Sequence, residues 1–559
     1  MAQVRTAAAL GVQWLGVVLL ILLLLRVGAT ATVADPQASC PAEGCRPSGA
    51  FALNSDIPGL TTGVAVKWTV TVASDTVPEL SRLGCVTCQN GLVCPTRRGY
   101  VSLDYTTSGK TLWRYDNLTT PTLPILDFFG DVIGTNGNFL IKIDSDGQVQ
   151  KPIIHFWNDL APMYSVQLAR DFLLLLVSRT GLLLTYDYNG IPQASLFIRD
   201  EIEGVNGTFL PVAQPVIYGN RSYILMQFAP DSPVPDYKAN VLGLQRLYAI
   251  DILDRMAKCI SPVWYVNFER EVCPPHDSRR KQCQLSGEMY SSTVLVHRST
   301  VYVSLGRPLA DCECTTTAGN KESAGTLWAF KDLGNTSTLL FKNNCSVSSL
   351  SLYDDDVWET LLPVEPRRVR GRHALLKPLM TGVRAREVVL WAATEQRITG
   401  YSTHNGSILH ELNVSKLLNV SCRITSKVMV ARSADGRSER LVFAAATTTT
   451  TQQCCASGSH HGGRWDNSSR SLVVAVDVIN HGGLQLLWTV PAPTGSRVVG
   501  QIANVMLAQH AGLGDVHNKG KRKENLGVEG KPSSEAAKIL LVAMAVSDTT
   551  EQIFAIGDK

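Results

Sequence analysis

The feature that most restricts the fold of this chain is a hairpin that it writes more than once. Residues Gly99–Trp113, GYVSLDYTTSGKTLW, alternate Tyr100, Ser102 and Asp104 with Val101, Leu103 and Tyr105, reverse at Ser108–Gly109 and return through Leu112–Trp113. That is the pattern of two antiparallel strands joined by a tight turn. Weaker copies start at Asn138, Gly181, Arg246, Gly325, Gln396 and Ser471, with a truncated one at Gln552. A hairpin repeated along most of a chain cannot bury its apolar face alone, so the copies must pack on one another.

The spacing of the copies sizes the repeat. Asp104, Asp144 and Asp187 each end a third strand and stand about forty residues apart, the length of a propeller blade. Later anchors, Asp251, Lys331, Ser402, Asp477 and Gly557, are further apart, and the gaps hold polar insertions at 231–240, 269–285, 307–323, 353–376, 447–469 and 509–537. Such insertions belong on hairpin tips at the rims. Residues 163–197 show one whole unit: MYSVQLA, DFLLLLVS, GLLLTYD, the turn Asn189–Gly190, then IPQASLFI. Four antiparallel strands per unit predict an all-β fold, a β-propeller of four-stranded blades. Eight third-strand motifs give eight blades, with seven as the alternative count. The last unit stops after its third strand, QIFAIGDK, while AVKWTV from Ala65 precedes the first full unit. Pairing the two closes the ring.

Composition narrows the class. With 45% hydrophobic and 18% charged residues the chain can build a large core, and a net charge of +4 over 559 residues is no nucleic-acid footprint. After Met1–Arg5 comes the apolar run Thr6–Leu25, then Arg26 and the small residues GATATVAD. Residues 1–34 therefore read as a secretory signal, cut after Ala31 or Ala34, or as an uncleaved anchor. Residues 35–62, rich in Pro, Gly, Ser and Ala, read as a flexible linker closed on itself by Cys40–Cys45, and 63–559 as one propeller domain. Sequons at Asn117, Asn206, Asn220, Asn335, Asn344, Asn405, Asn413, Asn419 and Asn467 agree with export, as do the fourteen cysteines. The expected location is extracellular or the lumen of the secretory pathway, or the plasma membrane through an N-terminal anchor.

The run of Leu103, Asp104, Gly109, Lys110 and Trp113, with partial matches at Ala249, Asp251 and Trp264 and at Ala475, Asp477 and Trp488, resembles the PQQ-like repeat. That repeat is typical of quinoprotein alcohol dehydrogenases and of a bacterial outer-membrane assembly lipoprotein. Leu160–Ser165, LAPMYS, is similar to a stretch of the gamete-expressed PQQ-like propellers of plants. The enzymes of the superfamily carry a quinone and a calcium ion on the propeller axis, an aspartate base and a vicinal disulfide in an early blade. Here the adjacent pair Cys454–Cys455 falls in a late insertion, and the calcium and base motifs have no counterpart.

The remaining polar clusters divide between chemistry and architecture. Asp144-Ser145-Asp146-Gly147 has the carboxylate spacing that opens a calcium loop, but it lies in the turn of a repeat hairpin and lacks a distal glutamate. Asp354–Asp356 reads as a solvated acidic run. Cys85, Cys88 and Cys94 have the opening spacing of a zinc site, yet behind a signal sequence they read as disulfide partners. So do Cys259, Cys273, Cys283, Cys312, Cys314 and Cys345 on neighbouring insertions, Cys422, and Cys454 and Cys455, which stand near His460 and His461. Basic clusters at Arg279–Lys281, Arg367–Arg372 and Lys519–Lys523 read as loop charge. No nucleophile elbow, phosphate loop or HExxH is present. The sequence predicts no catalytic residue, no metal site and no cofactor, but a glycosylated module that binds a protein or glycan at its rim. The alternatives are a PQQ- and calcium-dependent oxidoreductase and a luminal assembly factor.

Overall fold

The computed structural model describes residues within 40–559; the stretches of seven residues or more outside that description are 74–83, 156–162, 269–292, 306–325, 355–386, 448–469 and 508–537, together with 1–39 and a scatter of shorter runs. Strand β1 (Val64–Ala73) comes first. Blade 1 follows as β2 (Val86–Cys88), β3 (Gly91–Thr96), β4 (Gly99–Leu103) and β5 (Thr111–Tyr115), and blade 2 as β6 (Ile125–Leu126), β7 (Val132–Thr135), β8 (Phe139–Ile143) and β9 (Val149–His155). Blade 3 is β10 (Met163–Leu168), β11 (Leu174–Ser178), β12 (Leu182–Tyr186) and β13 (Pro192–Phe197). Blade 4 has an extra hairpin, β14 (Arg199–Ile202) and β15 (Val205–Pro211), ahead of β16 (Val216–Tyr218), β17 (Arg221–Pro230), β18 (Gln245–Asp254) and β19 (Cys259–Phe268).

Blade 5 is β20 (Thr293–His297), β21 (Thr300–Leu305), β22 (Thr326–Asp332) and β23 (Ser337–Asn343). Blade 6 is β24 (Ser349–Leu352), β25 (Val389–Ala393), β26 (Arg397–Ser402) and β27 (Ile408–Asn413), followed by the single turn α1 (Val414–Leu418). In blade 7 the innermost strand is split into β28 (Cys422–Ile424) and β29 (Met429–Arg432), both paired to β30 (Glu439–Thr447), and β31 (Ser471–Ile479) and β32 (Gly483–Pro491) complete it. Blade 8 takes β33 (Arg497–Leu507), β34 (Lys538–Val546) and β35 (Glu551–Asp558) from the end of the chain and β1 from its start, paired antiparallel from Val64↔Asp558 to Ala73↔Glu551. The count is eight, and the ring closes as the truncated last repeat predicts. Every hairpin copy picked out in the sequence is the third and fourth strand of a blade, Gln552 supplying the third strand of the last.

In each blade the chain runs from the axis outward. The first-to-second and third-to-fourth connections therefore emerge on one face, the lower, and the second-to-third and blade-to-blade connections on the other, the upper. Why the repeat couples a turn glycine to a tryptophan four residues later is visible between blades. The fourth-strand aromatic of one blade docks on the lower turn of the next. A methyl group on Gly109 would lie 2.5 Å from the Trp68 ring, one on Gly147 2.6 Å from Trp113, and one on Gly406 2.5 Å from Phe341. Trp113 Nε1 also donates to the Ser145 carbonyl at 3.1 Å. Gly109 and Gly147 stand at φ +70° and +81°, so both the space and the backbone exclude a side chain. At the seam between blades 7 and 8 the lower turn is missing because the ring is closed there by the two ends of the domain. Trp488 docks instead on Gly59 and donates to the Pro58 carbonyl at 2.9 Å.

Those two residues belong to the stretch that reads as a linker in the sequence, and there the structure corrects the reading. The described residues of 40–59 line the inside of the ring. Cys40, Cys45 and Leu53 are 0% exposed and Phe51 4%, and Cys40–Cys45 forms the expected disulfide. Cys40 bridges antiparallel to Thr87 on β2, whereas Ala52 bridges in parallel to Val430 on β29. Between them Val296 N donates to Ser48 O at 3.0 Å and Leu352 N to Ala50 O at 2.9 Å. Innermost strands run from the upper to the lower face, so the chain climbs at Cys40 and descends at Ala52. It then leaves by the lower face, where Gly59 N donates to Asp558 Oδ1 at 2.5 Å. Composition alone suggested flexibility; the small residues are there because the channel is narrow, as at Gly49, where a Cβ would meet Val294 O at 2.9 Å.

Candidate functional site

The insertions single out one part of the ring. Those at 231–240, 269–285, 307–323 and 447–469 join strands whose ends lie on the upper face of blades 4, 5 and 7, and 353–376 and 509–537 leave by the lower face of blades 6 and 8. Apart from Asp231–Pro235, Tyr353, Asp354 and Thr447, the residues of these six insertions lie outside the described residues. What frames them on the upper face is ordered, and most clearly in blade 4. The β14–β15 hairpin pairs with the end of β17 nearest that face, from Gly207↔Pro230 to Pro211↔Met226.

Arg246 on β18 fixes that hairpin. Its guanidinium lies 4.4 Å from the Phe209 ring and 4.2 Å from that of Tyr265. It donates to Asp200 Oδ2 at 2.7 Å, Asn267 Oδ1 at 2.6 Å and the Tyr248 hydroxyl at 2.8 Å. A buried arginine needs each of these acceptors. Burial alone would lower its pKa, but donation to Asp200 and Tyr248 outweighs this and holds it above the ordinary value. Arg199 and Asp231 form a second, exposed ion pair across the same corner. On blade 6, α1 occupies the upper connection; Asn413 Oδ1 caps it by accepting from Lys416 N at 3.0 Å, and Asn419 ends it at φ +52°. None of this was read from the sequence. The one available signal was Glu203–Gly204, a turn pair between two short polar-apolar runs.

Among the sequons, Asn117, Asn206, Asn220, Asn335, Asn405 and Asn419 are exposed and Asn413 is half-buried; Asn344 and Asn467 lie outside the described residues. Asn220, Asn335 and Asn405 sit in lower connections of three consecutive blades, 4, 5 and 6, and Asn117, Asn206, Asn413 and Asn419 belong to the upper side. The cap at Asn413 uses only its carbonyl oxygen, so the amide nitrogen that would carry a glycan is not spent on it.

The cysteine expectations divide. Cys85 pairs with Cys94, so a zinc site is not built from them. Cys259 and Cys422 are free thiols, a correction to their reading as disulfide partners. Cys259 starts the outermost strand of blade 4 at the lower face. Cys422 is buried beside Ser415, whose hydroxyl lies 3.7 Å from its sulfur; burial raises its pKa, which keeps it a thiol. The side chain of Cys88, together with Cys273, Cys283, Cys312, Cys314, Cys345, Cys454, Cys455, His460, His461 and the three basic clusters, lies outside the described residues.

The described side chains of the acidic clusters are architectural, and Asp355 and Asp356 lie outside the described residues. Asp144 Oδ1 accepts from Asp146 N at 3.0 Å and Gln148 N at 2.8 Å, and Asp187 Oδ1 does the same for Asn189 N and Ile191 N. Asp354 is the acceptor of His297 at 2.5 Å and Arg298 at 3.0 Å. Between blades 4 and 5, Asp332 accepts from the Tyr223 hydroxyl at 2.6 Å, from Arg221 at 2.9 Å, from Gly334 N at 2.7 Å and from Trp264 Nε1 at 3.1 Å. Burial pushes its carboxyl up, yet these four donors outweigh burial and hold its pKa below the ordinary range. Among the described residues no three His, Cys, Asp or Glu side chains gather as metal ligands, and no helix is long and apolar enough to cross a membrane.

No family model and no curated protein sequence matches the chain. Among solved structures it is similar to the C-terminal WD40 domain of Sif2, with 10% identity, 90% of this chain and 98% of that one covered, and a TM-score of 0.39. It is also similar to the Dos1 propeller, with 10% identity, coverage of 89% and 94%, and a TM-score of 0.37. A third likeness is to the BBS1 N-terminal domain crystallised with ARL6, with 10% identity, coverage of 68% and 93%, and a TM-score of 0.37. These likenesses bear on neither ligand nor activity.

Proposed function

We propose that this protein is a glycosylated, extracytoplasmic β-propeller that acts as a non-catalytic binding module, taking a protein or glycan partner on the upper rim of blades 4–7. The observation that carries this reading is the occupied axis. In the superfamily that the repeat resembles, a quinone and calcium sit there; in this chain the same space holds Cys40, Phe51 and Leu53, all buried. With the axis filled, the surfaces that vary between blades are the rims, and four of the six long insertions leave by the upper one. A ring with rigid strands and variable loops is how scaffolds present binding surfaces. Exposed sequons on both faces and a buried disulfide support an origin in the secretory pathway, with residues 1–34 as a cleaved signal or an anchor. The docked Gly–Trp pairs support counting the repeat as a diverged PQQ-like one.

The test is cross-linking of the secreted full chain on the surface of cells that express it, followed by mapping of the cross-linked residues, with a glycan array in parallel. Cross-links to a partner should fall in 269–285, 307–323 and 447–469, or glycan binding should be lost when 307–323 is replaced by a Gly-Ser linker. Purified protein supplied with the quinone and calcium should not reduce a dye in the presence of alcohols; turnover abolished by chelation would overturn the reading. Treatment with a peptide-N-glycosidase should lower the apparent mass in several steps.

A further inference from the structure

The segment in the channel is held in a way that differs from every strand of the ring. The eight sheets are complete without it. Among the described residues it adds no ladder, only isolated backbone contacts: with Thr87 in blade 1, Val296 in blade 5, Leu352 in blade 6 and, through two hydrogen bonds, Val430 in blade 7. Its specificity lies in side chains. Phe51, Leu53 and Ile57 pack into the wall formed by blades 7 and 8, with Met429 and Val442 among their neighbours. Asp56, three residues after Leu53, forms a largely buried ion pair with Arg440, and Trp488 Nε1 donates to the carbonyl of Pro58. Phe51 is held at φ +48°, in the left-handed region that bulky residues avoid, so the wall imposes its conformation. These are the marks of peptide recognition, main-chain pairing for affinity and spaced pockets for selectivity.

We propose that the axial channel is a peptide-binding site and that residues 40–59 are its built-in ligand. The class of peptide it takes is an extended one with two alternating apolar side chains, a carboxylate three residues further on, then an aliphatic residue and proline: Phe51, Leu53, Asp56, Ile57 and Pro58. Wall residues Val430 and Trp488 read the backbone, and Arg440 reads the carboxylate. The Cys40–Cys45 disulfide pre-organises the ligand and so lowers the entropy cost of holding it. The chain climbs at Cys40 and descends at Ala52, so its described residues turn back inside the channel rather than run straight through it. The channel is closed to a competing peptide only while the built-in one is seated. This site is separate from the rim and stands or falls independently of it.

The experiment uses the full secreted chain with a protease recognition sequence placed at 60–62 and a fluorophore on its N-terminal side. After cleavage the labelled segment should stay with the ring through gel filtration. Excess unlabelled synthetic peptide corresponding to residues 48–59 should then displace it while the β-sheet circular dichroism is unchanged. A peptide carrying Asp56→Asn should compete at least tenfold less well, and Arg440→Lys in the ring should reduce the difference between the two peptides. Loss of label only in step with unfolding of the ring would overturn the proposal, because the segment would then be an integral part of the core. Equal competition by the two peptides would overturn the assignment of Arg440.

Discussion

Two regions of this molecule solve the same problem, joining one blade to the next, by opposite means. At the lower rim, Trp68, Trp113 and Phe341 each dock on the turn glycine of the following blade, a contact between neighbours in a repeating sequence. In the channel, residues 40–59 join blades 1, 5, 6, 7 and 8, with several of the contacts falling on blade 7. The rim contact is local and recurs at three junctions, between blades 8 and 1, 1 and 2, and 5 and 6. The axial contact is written once, in residues whose composition is that of a linker. A repeat protein is commonly treated as a chain of nearest-neighbour terms; here a single segment adds a term that couples blades 1, 5, 6, 7 and 8.

The difference can be broken first at its most buried polar contact. Arg440→Ala removes the cation that pairs with the Asp56 carboxylate in the channel, and truncating one side of a buried pair costs about 3–5 kcal/mol. The denaturation midpoint should fall by the corresponding amount. Leu53→Ala, in the same segment and 0% exposed, should cost about 2–5 kcal/mol. A variant that loses less than about 1 kcal/mol at either position would mean that the axial segment is an ornament and the ring is stable through neighbour contacts alone.

The rim contact is broken next. Gly147→Val puts a β-branched side chain at φ +81° and against Trp113, with an expected loss of about 2–3 kcal/mol. In a Trp113→Ala background the clash with the indole ring disappears while the close approach to the Cβ of residue 113 and the backbone strain stay, so the same substitution should cost less there. Equal costs in both backgrounds, measured as a double-mutant cycle, would show that the docked ring contributes nothing at this junction.

These contrasts explain how much of the molecule was legible. The blades were readable because period-two alternation and turn glycines are local signals, repeated often enough to outvote degenerate copies such as Asn138–Gln150. The closing strand was readable because the last repeat visibly lacks one. Residues 40–59 were not, since their contacts are spread over blades 1, 5, 6, 7 and 8 and leave no periodicity; only the apolar Phe51, Leu53 and Ile57 among small residues hinted at burial. Arg246 and the hairpin it holds were missed for a similar reason, their partners Asp200, Tyr248 and Asn267 being scattered along the chain. The disulfide Cys85–Cys94 was one of several pairings that the spacing allowed, and Cys259 and Cys422 show that an even number of cysteines does not pair them all.

A third test concerns the seam where the two ends of the domain meet. Glu551 begins β35 opposite Ala73, is 2% exposed, and its Oε1 has no hydrogen-bond partner among the described residues. Burial pushes its pKa up to about 6. A carboxyl whose folded pKa is raised is neutral in the folded state at low pH, and holding it charged becomes costly as the pH rises from its unfolded value through about 6. The seam should therefore be more stable at pH 5 than at pH 7.5, by about 1 kcal/mol for this group. Glu551→Gln should flatten that part of the pH profile. A profile unchanged by the substitution would show that the carboxyl finds solvent or a partner.

The smallest expected effect separates architecture from chemistry at the one rim turn that resembles a cation loop. Asp144 Oδ1 holds two backbone amides, those of Asp146 and Gln148, and so caps the turn on which Trp113 docks. If capping is its whole role, Asp144→Asn keeps a carbonyl oxygen in the same place and should cost a few tenths of a kcal/mol, whereas Asp144→Ala should cost about 1 kcal/mol. Calcium should not shift the melting temperature of the native protein through this turn. If the turn instead bound the cation, added calcium would raise the melting temperature by linkage, and Asp144→Asn, which keeps an oxygen ligand but loses the charge, would reduce that rise while Asp144→Ala would abolish it. The response of the melting temperature to calcium thus decides the matter without any measurement of activity. A capping result would place Asp144 with Gly147 and Trp113 as parts of one blade-joining device.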